Sequence, residues 1–379
     1  MSAPLRVHGL AGDLVAPDWS PLSDEEARAV LSNYPSRQED DEPAITWRSP
    51  RPMSAAALVS WAGTEVFVKR HDPRVRTAHQ LTAEHIFAEH LRTRGVPVPA
   101  VLATVTGRTT VTSTEGVYEV HQTAAGVDLY RDAMSWTPFT SLGHAWAAGS
   151  ALARFHHAAS DFPCPASPPS VLTDSCHIIT AADPIEAINQ LAAARPGLAR
   201  YLAKRSWQNE LGAHHVAFIR QASPLLAGLE PQWTHGDWHP SNLGWTSDGP
   251  DAVVAAVFDL GLANLTFAAH DLATALERST VNWLDLPHTG APEADLDAVD
   301  ALLDGYQHTN PSDGASAAVA AVLPVAHLEY ALSEIEYFSE VVDSPANADL
   351  AYDGYLIGHT RWFEGPEGSA MLDHLLRRA

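Results

Sequence analysis

Between residues 233 and 261 the chain carries three side chains whose types and spacing suit phosphoryl transfer: Asp237, Asn242 and Asp259. That reaction asks little covalent chemistry of a protein. It needs a carboxylate to orient or deprotonate the attacking hydroxyl, and oxygen ligands to hold Mg²⁺ on the nucleotide phosphates. Asp237 fits the first need, and Asn242 and Asp259 fit the second. In the run His235-Gly236-Asp237-Trp238-His239-Pro240-Ser241-Asn242, four residues separate Asp from Asn, the spacing that sets a base beside a metal ligand. His235 stands at the supporting position two residues before the base. Asp259-Leu260-Gly261 follows the apolar run VVAAVF, and Gly261 is expected to let the chain turn there. A lone His-x-Asp-x4-Asn also describes a loop whose Asp and Asn merely cap turns. Its conjunction with an apolar strand ending in Asp-Leu-Gly is specific.

A nucleotide donor calls for a lysine on a strand, paired with the α/β-phosphates and held by a Glu of the adjacent helix. Of 23 basic residues 21 are Arg and only Lys69 and Lys204 are Lys, so a lysine closing the apolar run 64–68 invites a specific role. Lys69 takes that place. Glu84 and Glu89 both fall in the helix that follows. Glu84 is preferred as the partner because it lies nearer the helix start, on the side of Leu81 and His85; the competing reading is a solvated helix face. The hairpin that would cover the phosphates, SPRPMSAAALVS at 49–60, holds no Gly. Backbone N–H groups and the Ser54 hydroxyl are left for that task.

These residues need elements to position them. Residues 1–44 read as a peripheral extension with one helix starting at Ser23, where Ser23-Asp24-Glu25-Glu26 fits a capping box, followed by an acidic linker at 39–42. AALVSW at 56–61 and TEVFVK at 64–69 read as a hairpin about Ala62-Gly63, 77–94 as an amphipathic helix, and 101–105, 109–113 and 117–121 as strands. Beyond Gln122 the texture is helical, near 141–159, 184–204, 207–227, 268–284, 294–307, 315–342 and 347–361, with Pro-rich loops at 163–169 and 285–292. The fold class is α+β in two lobes: a small antiparallel-sheet N-lobe at 45–121, a hinge at 122–126, and a larger, mainly helical C-lobe at 127–379.

These motifs resemble those of the aminoglycoside phosphotransferase family, the small-molecule kinases that include choline-kinase-like and homoserine-kinase-like enzymes and share a protein-kinase-like fold. Residues 64–70, 80–102, 117–130, 233–245 and 253–275 carry the likeness, and His235-Gly236-Asp237-Trp238-His239-Pro240-Ser241-Asn242 matches the family's His-Gly-Asp-x-His-x-x-Asn. The resemblance implies that Asp237 is the catalytic base, that Asn242 and Asp259 bind Mg²⁺, and that Lys69 and Glu84 form an ion pair at the nucleotide, ATP or GTP. It further implies that residues 122–125, with Gln122 and Ala124, hold the purine. Asp271, in His270-Asp271-Leu272-Ala273, resembles the family's buried aspartate that supports the catalytic loop. Leu260 stands where protein kinases carry Phe, a mild departure because only apolar packing is required.

Charge and composition narrow the partners. The chain has 46 acidic residues against 23 basic ones, a net −23, which argues against nucleic acid. Residues 1–121 hold 12 basic and 15 acidic side chains (−3), and residues 122–379 hold 11 and 31 (−20). Such a field would steer a cationic acceptor toward the second lobe, although an acidic surface also serves solubility alone. In Glu329-Tyr330-Ala331-Leu332-Ser333-Glu334-Ile335-Glu336-Tyr337-Phe338, Glu334 or Glu336 beside Tyr330 or Tyr337 would bind an ammonium group; the competing reading is amphipathic packing. Cys164 and Cys176 have the count and spacing of neither a disulfide scaffold nor a zinc site. His156-His157 and His214-His215 read as surface or packed imidazoles. No apolar run is expected to approach the roughly 20 residues that span a bilayer, and no leader is evident, so no membrane contact and a cytoplasmic place are expected. The composite expectation is a Mg²⁺-dependent kinase of a hydroxyl on an amine-bearing small molecule. The alternatives are a kinase of a neutral sugar or metabolite, or a catalytically silent module, against which the joint presence of Lys69, Asp237, Asn242 and Asp259 speaks.

Overall fold

Lys69 sits on the central strand of an antiparallel sheet, because the apolar runs around it pair in register. The structure, a computed structural model, describes residues 5–10, 12–35, 42–286, 292–311 and 316–378. Its N-lobe begins with the short strands β1 (Val7–His8) and β2 (Leu14–Val15) and helix α1 (Asp24–Leu31). Strands β3 (Ala44–Arg48), β4 (Ala55–Trp61) and β5 (Thr64–His71), helix α2 (Ala78–Thr93), and strands β6 (Thr110–Thr112) and β7 (Val117–Gln122) follow. The five-stranded sheet runs β3-β4-β5-β7-β6, and Lys69 lies opposite Ala56 on one side and Glu119 on the other. Ala62 and Gly63 turn the β4-β5 hairpin with φ of 51° and 73°, the positive-φ pair that a two-residue hairpin needs.

Strand alternation gives this sheet two different faces. Val66, Val68, Tyr118 and Val120 bury one face in a cluster with Ala27, Val30 and Leu31 of α1. Helix α1 keeps its capping box, Ser23 with Glu26, and Glu26 also accepts from Arg70 Nη1 and Tyr118 Oη, both at 2.6 Å. The segment expected as a peripheral extension thus closes the N-lobe core. Of the acidic linker, residues 39–41 lie outside the described residues, and Glu42 pairs with Arg28. The other face carries Lys69, His71, Glu119 and His121 toward α2.

The C-lobe places the loop at 235–242 between two short ribbons. Helices α3 (Leu142–Ala159), α4 (Pro184–Ala194), α5 (Pro196–Leu202), α6 (Trp207–His214) and α7 (Val216–Leu226) lead to β8 (Gln232–Thr234), β9 (Leu243–Trp245), β10 (Val254–Val257) and β11 (Asn264–Thr266). β8 pairs with β11 and β9 with β10, both antiparallel, so residues 235–242 and 258–263 run side by side. Behind them stand α8 (Ala268–Thr280), α9 (Leu296–Thr309), α10 (Ser316–Val322), α11 (Leu328–Glu336), α12 (Pro345–Asp349), α13 (Thr360–Glu364) and α14 (Pro366–Arg378).

Several expectations need correction. The strand at 101–105 does not form: only Val101 bridges to His121, and β6 takes the rest of that edge of β7, while Thr104 and Val105 bond Arg108 and Asn33 instead. The helix expected at 315–342 is broken at Pro324, which cannot donate in a ladder; residue 315, like 287–291 of the second Pro-rich loop, lies outside the described residues. Helix α14 lies beyond the last helical segment expected, 347–361. Pro is tolerated in a first helical turn, and Met371 and Leu375 bury one face. The stretch Ala317–Val341 is, by length and composition, apolar enough to cross a bilayer, against expectation, yet 94% of its apolar window is buried as core.

The close crossing of α3 against α9 depends on two glycines. A Cβ on Gly149 would lie 1.9 Å from Leu302 O, and one on Gly305 1.9 Å from Trp146 O. Both obstacles are backbone, so neither can move aside. Gly149→Ala is expected to lower unfolding stability by about 2–3 kcal/mol through overpacking. Gly354→Ala, with nothing within 4 Å, serves as the neutral control. Urea midpoints of the two variants check this, and equal midpoints would refute it.

Candidate functional site

The loop that carries Asp237 is held from beneath by a single carboxylate. Asp271, on α8 with 0% exposure, accepts from the backbone N–H of His235 and of Gly236, each at 2.8 Å. His156 Nε2 donates to it at 2.9 Å and accepts at Nδ1 from Tyr306 at 2.8 Å, so one of the paired histidines is a packed support. Burial pushes the Asp271 carboxyl up, but these donors and the His235 ring outweigh burial and hold it below its ordinary value. Gly236 has φ of 74°, and a Cβ there would meet Leu262 O at 2.5 Å, so only glycine fits. His235 donates from Nε2 to Phe258 O at 3.2 Å and accepts from Asp237 N–H at 3.1 Å, tying the two loops together.

Asp237 and Asn242 converge above this anchor. Asn242 Nδ2 donates to both the backbone oxygen and Oδ2 of Asp237, each at 2.9 Å. Oδ1 of Asp237 meets His239 Nε2 at 3.3 Å and is hydrogen-bonded by Arg278 Nη1. Burial raises the Asp237 carboxyl, yet His239 and Arg278 outweigh it and hold the group well below its ordinary value. At neutral pH Asp237 is an anion.

Asp259 lies beside them, since Phe258 N–H bonds Asn242 O at 3.1 Å. Contrary to expectation the turn falls on Asp259 itself, with φ of 62° and ψ of 69°. Gly261 follows without a positive φ, and its backbone oxygen accepts from Arg76 Nη2 at 2.5 Å. Lys69 Nζ bonds Asp259 Oδ1 at 3.1 Å, joining the lobes.

The expected Lys69–Glu84 ion pair is absent among the described residues. Glu84 remains near enough for its charge to act on Lys69, but Asp259 and Glu119 act more strongly. Burial and the neighbouring Glu119 push the Glu84 carboxyl up to about 7. Glu119 accepts from His71, His85 and His121 Nε2 at 2.8, 2.7 and 2.9 Å. Sequence spacing gave no signal for this cluster, which three separate elements assemble.

The remaining expected residues are placed as follows. Ser54 lies in the bend before β4, and Gln122 ends β7 with its N–H on Ala100 O at 2.9 Å. Ala124 is exposed in the hinge, which ends where Val127 bridges to Trp245 on β9. The Gly-free loop reaches the C-lobe through Arg51, which donates to Ala133 O at 2.7 Å and Tyr130 O at 3.3 Å. Glu334 is 3% exposed, and the charges of Arg278 and Asp237 act on it. Glu336 is ion-paired with Arg195. Arg278, the counter-ion of Asp237, was missed; its only sequence signal is the Glu277-Arg278 pair inside a small-residue helix. A groove of about 690 Å³ between α2 and β6 includes none of Asp237, Asn242, Asp259 and Lys69.

A family model described as the phosphotransferase enzyme family matches residues 50–311. An aminoglycoside phosphotransferase from Alicyclobacillus acidocaldarius superposes with a TM-score of 0.51 at 18% identity, covering 95% of this chain and 97% of the other. An amicoumacin kinase, solved in complex with AMP-PNP, Ca²⁺ and Ami, gives 0.53 at 13% identity and 89% and 92% coverage. A spectinomycin phosphotransferase, solved with ADP and spectinomycin, gives 0.52 at 10% identity and 94% and 98% coverage. At these identities the likeness is one of fold, the two-lobed kinase-like architecture. No curated protein sequence matches the chain.

Glu334 supplies a pH test. Burial pushes its carboxyl up to about 8 from an ordinary 4.5, with Arg278 opposing and Asp237 adding to the rise. A carboxyl raised on folding contributes stability fully below about 4.5 and loses it as pH rises through about 8, because only the unfolded chain ionises freely between those values. Glu334→Gln stays neutral throughout. Its melting temperature is therefore expected to exceed that of the parent above pH 8 and to match it near pH 4; a constant difference across the series would refute the assignment.

Proposed function

The chain belongs to the phosphotransferase enzyme family, and from that premise we propose that it is a small-molecule kinase that moves the γ-phosphate of ATP or GTP to a hydroxyl of an amine-bearing acceptor. The observation that carries this reading is the meeting of Lys69, Asp237, Asn242 and Asp259, drawn from both lobes, in one connected set of hydrogen bonds. Asp237, ionised and held at both oxygens, orients the acceptor hydroxyl and takes its proton. Lys69, paired to Asp259 here, is the cation that the nucleotide phosphates meet.

Asn242 and Asp259 are the residues that would hold Mg²⁺. The amide nitrogen of Asn242 is committed to Asp237, which leaves its oxygen for a cation, and the exposed Asp259 carboxylate is bonded by Lys69 at one oxygen only. Such hard oxygen donors are what Mg²⁺ takes, and when bound the ion neutralises phosphate charge. The amine on the acceptor is supported by the −20 charge of residues 122–379.

The test is a nucleotide-consumption screen against amine-bearing antibiotics, aminosugars, amino alcohols and neutral sugars, with product mass showing the gain of a phosphate. Asp237→Asn is expected to lower kcat by about 10²–10⁴ with nucleotide KM little changed. Asp259→Ala is expected to lose Mg²⁺-dependent nucleotide binding. Wild-type turnover in Asp237→Asn, or an unchanged Mg²⁺ titration in Asp259→Ala, would refute the respective role. For a cationic acceptor, kcat/KM at saturating nucleotide should fall as salt rises, since the steering field is screened over about 8–10 Å. An acceptor indifferent to salt would favour the neutral class.

A further inference from the structure

Arg278 carries a full charge at 1% exposure, in a place where a Leu or Met would pack without the cost of desolvation. Its Nη1 donates to Gly236 O at 3.0 Å and to Asp237 Oδ1. The flat guanidinium lies 5.1 Å from the ring centre of Trp136 and 5.0 Å from that of Tyr330. Its neighbour Glu277 does not neutralise it by contact: Oε2 stands 4.0 Å from Nε, and Nε has no hydrogen-bond partner. Among the described residues Asp237 is the one carboxylate that Arg278 hydrogen-bonds.

The Trp136 ring is held over Arg278 by a backbone at φ of 63°, a left-handed conformation that a bulky residue adopts only under constraint. That ring also packs 5.0 Å from Tyr355, so the clamp is buttressed from the C-terminal helices.

We propose that Arg278 is a positioning residue for phosphoryl transfer: clamped between Trp136 and Tyr330, it fixes the Asp237 carboxylate in the orientation that receives the acceptor hydroxyl. The inference rests on the kinase reading above. Asn242 Nδ2 holds Oδ2, Arg278 holds Oδ1, and the same Arg278 nitrogen holds the backbone oxygen of Gly236 just before the base. The carboxylate is thereby stopped from rotating and from sliding with its loop. His239, at 3.3 Å from Oδ1, constrains one atom only. A lysine would keep the charge but not the planar fork that fits between two rings.

The experiment measures steady-state kinetics on an acceptor identified by the screen, with the full chain and Arg278→Ala. The variant is expected to lose about 10²-fold in kcat, the cost of a misplaced reacting group, with nucleotide KM changed less than about twofold. Guanidinium chloride at millimolar concentration should restore kcat at least about tenfold and saturably by re-entering between the rings, whereas ammonium chloride of equal ionic strength should not. Such rescue is not expected of a residue that merely packs. Near-parental kcat in Arg278→Ala, or a loss in a folded variant that guanidinium leaves untouched, would overturn the proposal.

Should Arg278→Ala fail to fold, Trp136→Asn is the second arm, because Asn accepts the left-handed backbone. It is expected to melt at or near the parental temperature and to lose about tenfold in kcat as the clamp opens. Parental kcat there would overturn the proposal. A parent chain that phosphorylates no acceptor overturns the kinase reading and this inference with it; a competent parent with indifferent variants overturns this inference alone.

Discussion

The buried carboxylate of Asp271 is the contact on which the rest of the site depends. Two adjacent backbone N–H groups, those of His235 and Gly236, have no strand or helix to satisfy them, and leaving them unpaired in the core would cost roughly 1–3 kcal/mol each. Asp271 accepts both while His156 holds it from the other side. The loop can therefore keep the left-handed turn at Gly236 and present Asp237 upward. Charge-assisted bonds to a carboxylate are short and directional, which suits a loop whose side chains must be set within a fraction of an ångström.

The second constraint is charge. Asp237 raises the tendency of Asp259 to hold a proton, and both carboxyls are nevertheless held below their ordinary values: His239 and Arg278 do so for Asp237, Lys69 for Asp259. Arg278 and Lys69 come from opposite lobes. Lys69 bonds across the cleft to Asp259, so the charge balance of the site also ties the N-lobe to the C-lobe.

The N-lobe departs from the ion pair that its family likeness implies. Burial and Glu119 push the Glu84 carboxyl up to about 7, whereas Glu119 is held well below its ordinary value by the histidines around it, against its burial. Glu119 faces Lys69 across the strand pair, so within the N-lobe the sheet acts on Lys69 more strongly than Glu84 of α2 does, second only to Asp259 of the C-lobe. Helix α1 covers the opposite face of that sheet, and without its Ala27, Val30 and Leu31 the strand carrying Lys69 would show Val66 and Val68 to water.

The sequence by itself determined the local devices. The capping box at Ser23, the Ala62-Gly63 hairpin, the Asp237-x4-Asn242 loop and the strand leading to Asp259 are patterns spanning a few residues, and each reflects forces that act over that range. It also supported Asp271 as a structural support. The tertiary structure decided whatever required distant segments to meet: that Arg278 on α8 reaches Asp237, that Glu336 spends its charge on Arg195, that Lys69 bonds Asp259 in place of Glu84, and that three histidines from β5, α2 and β7 converge on Glu119. A counter-ion is chosen by distance and burial after packing, and neither quantity is encoded in the spacing of one segment. The Gly261 expectation failed for a related reason: the left-handed turn falls on Asp259, while Gly261 O is bound by Arg76 arriving from the other lobe, a contact that no local spacing shows.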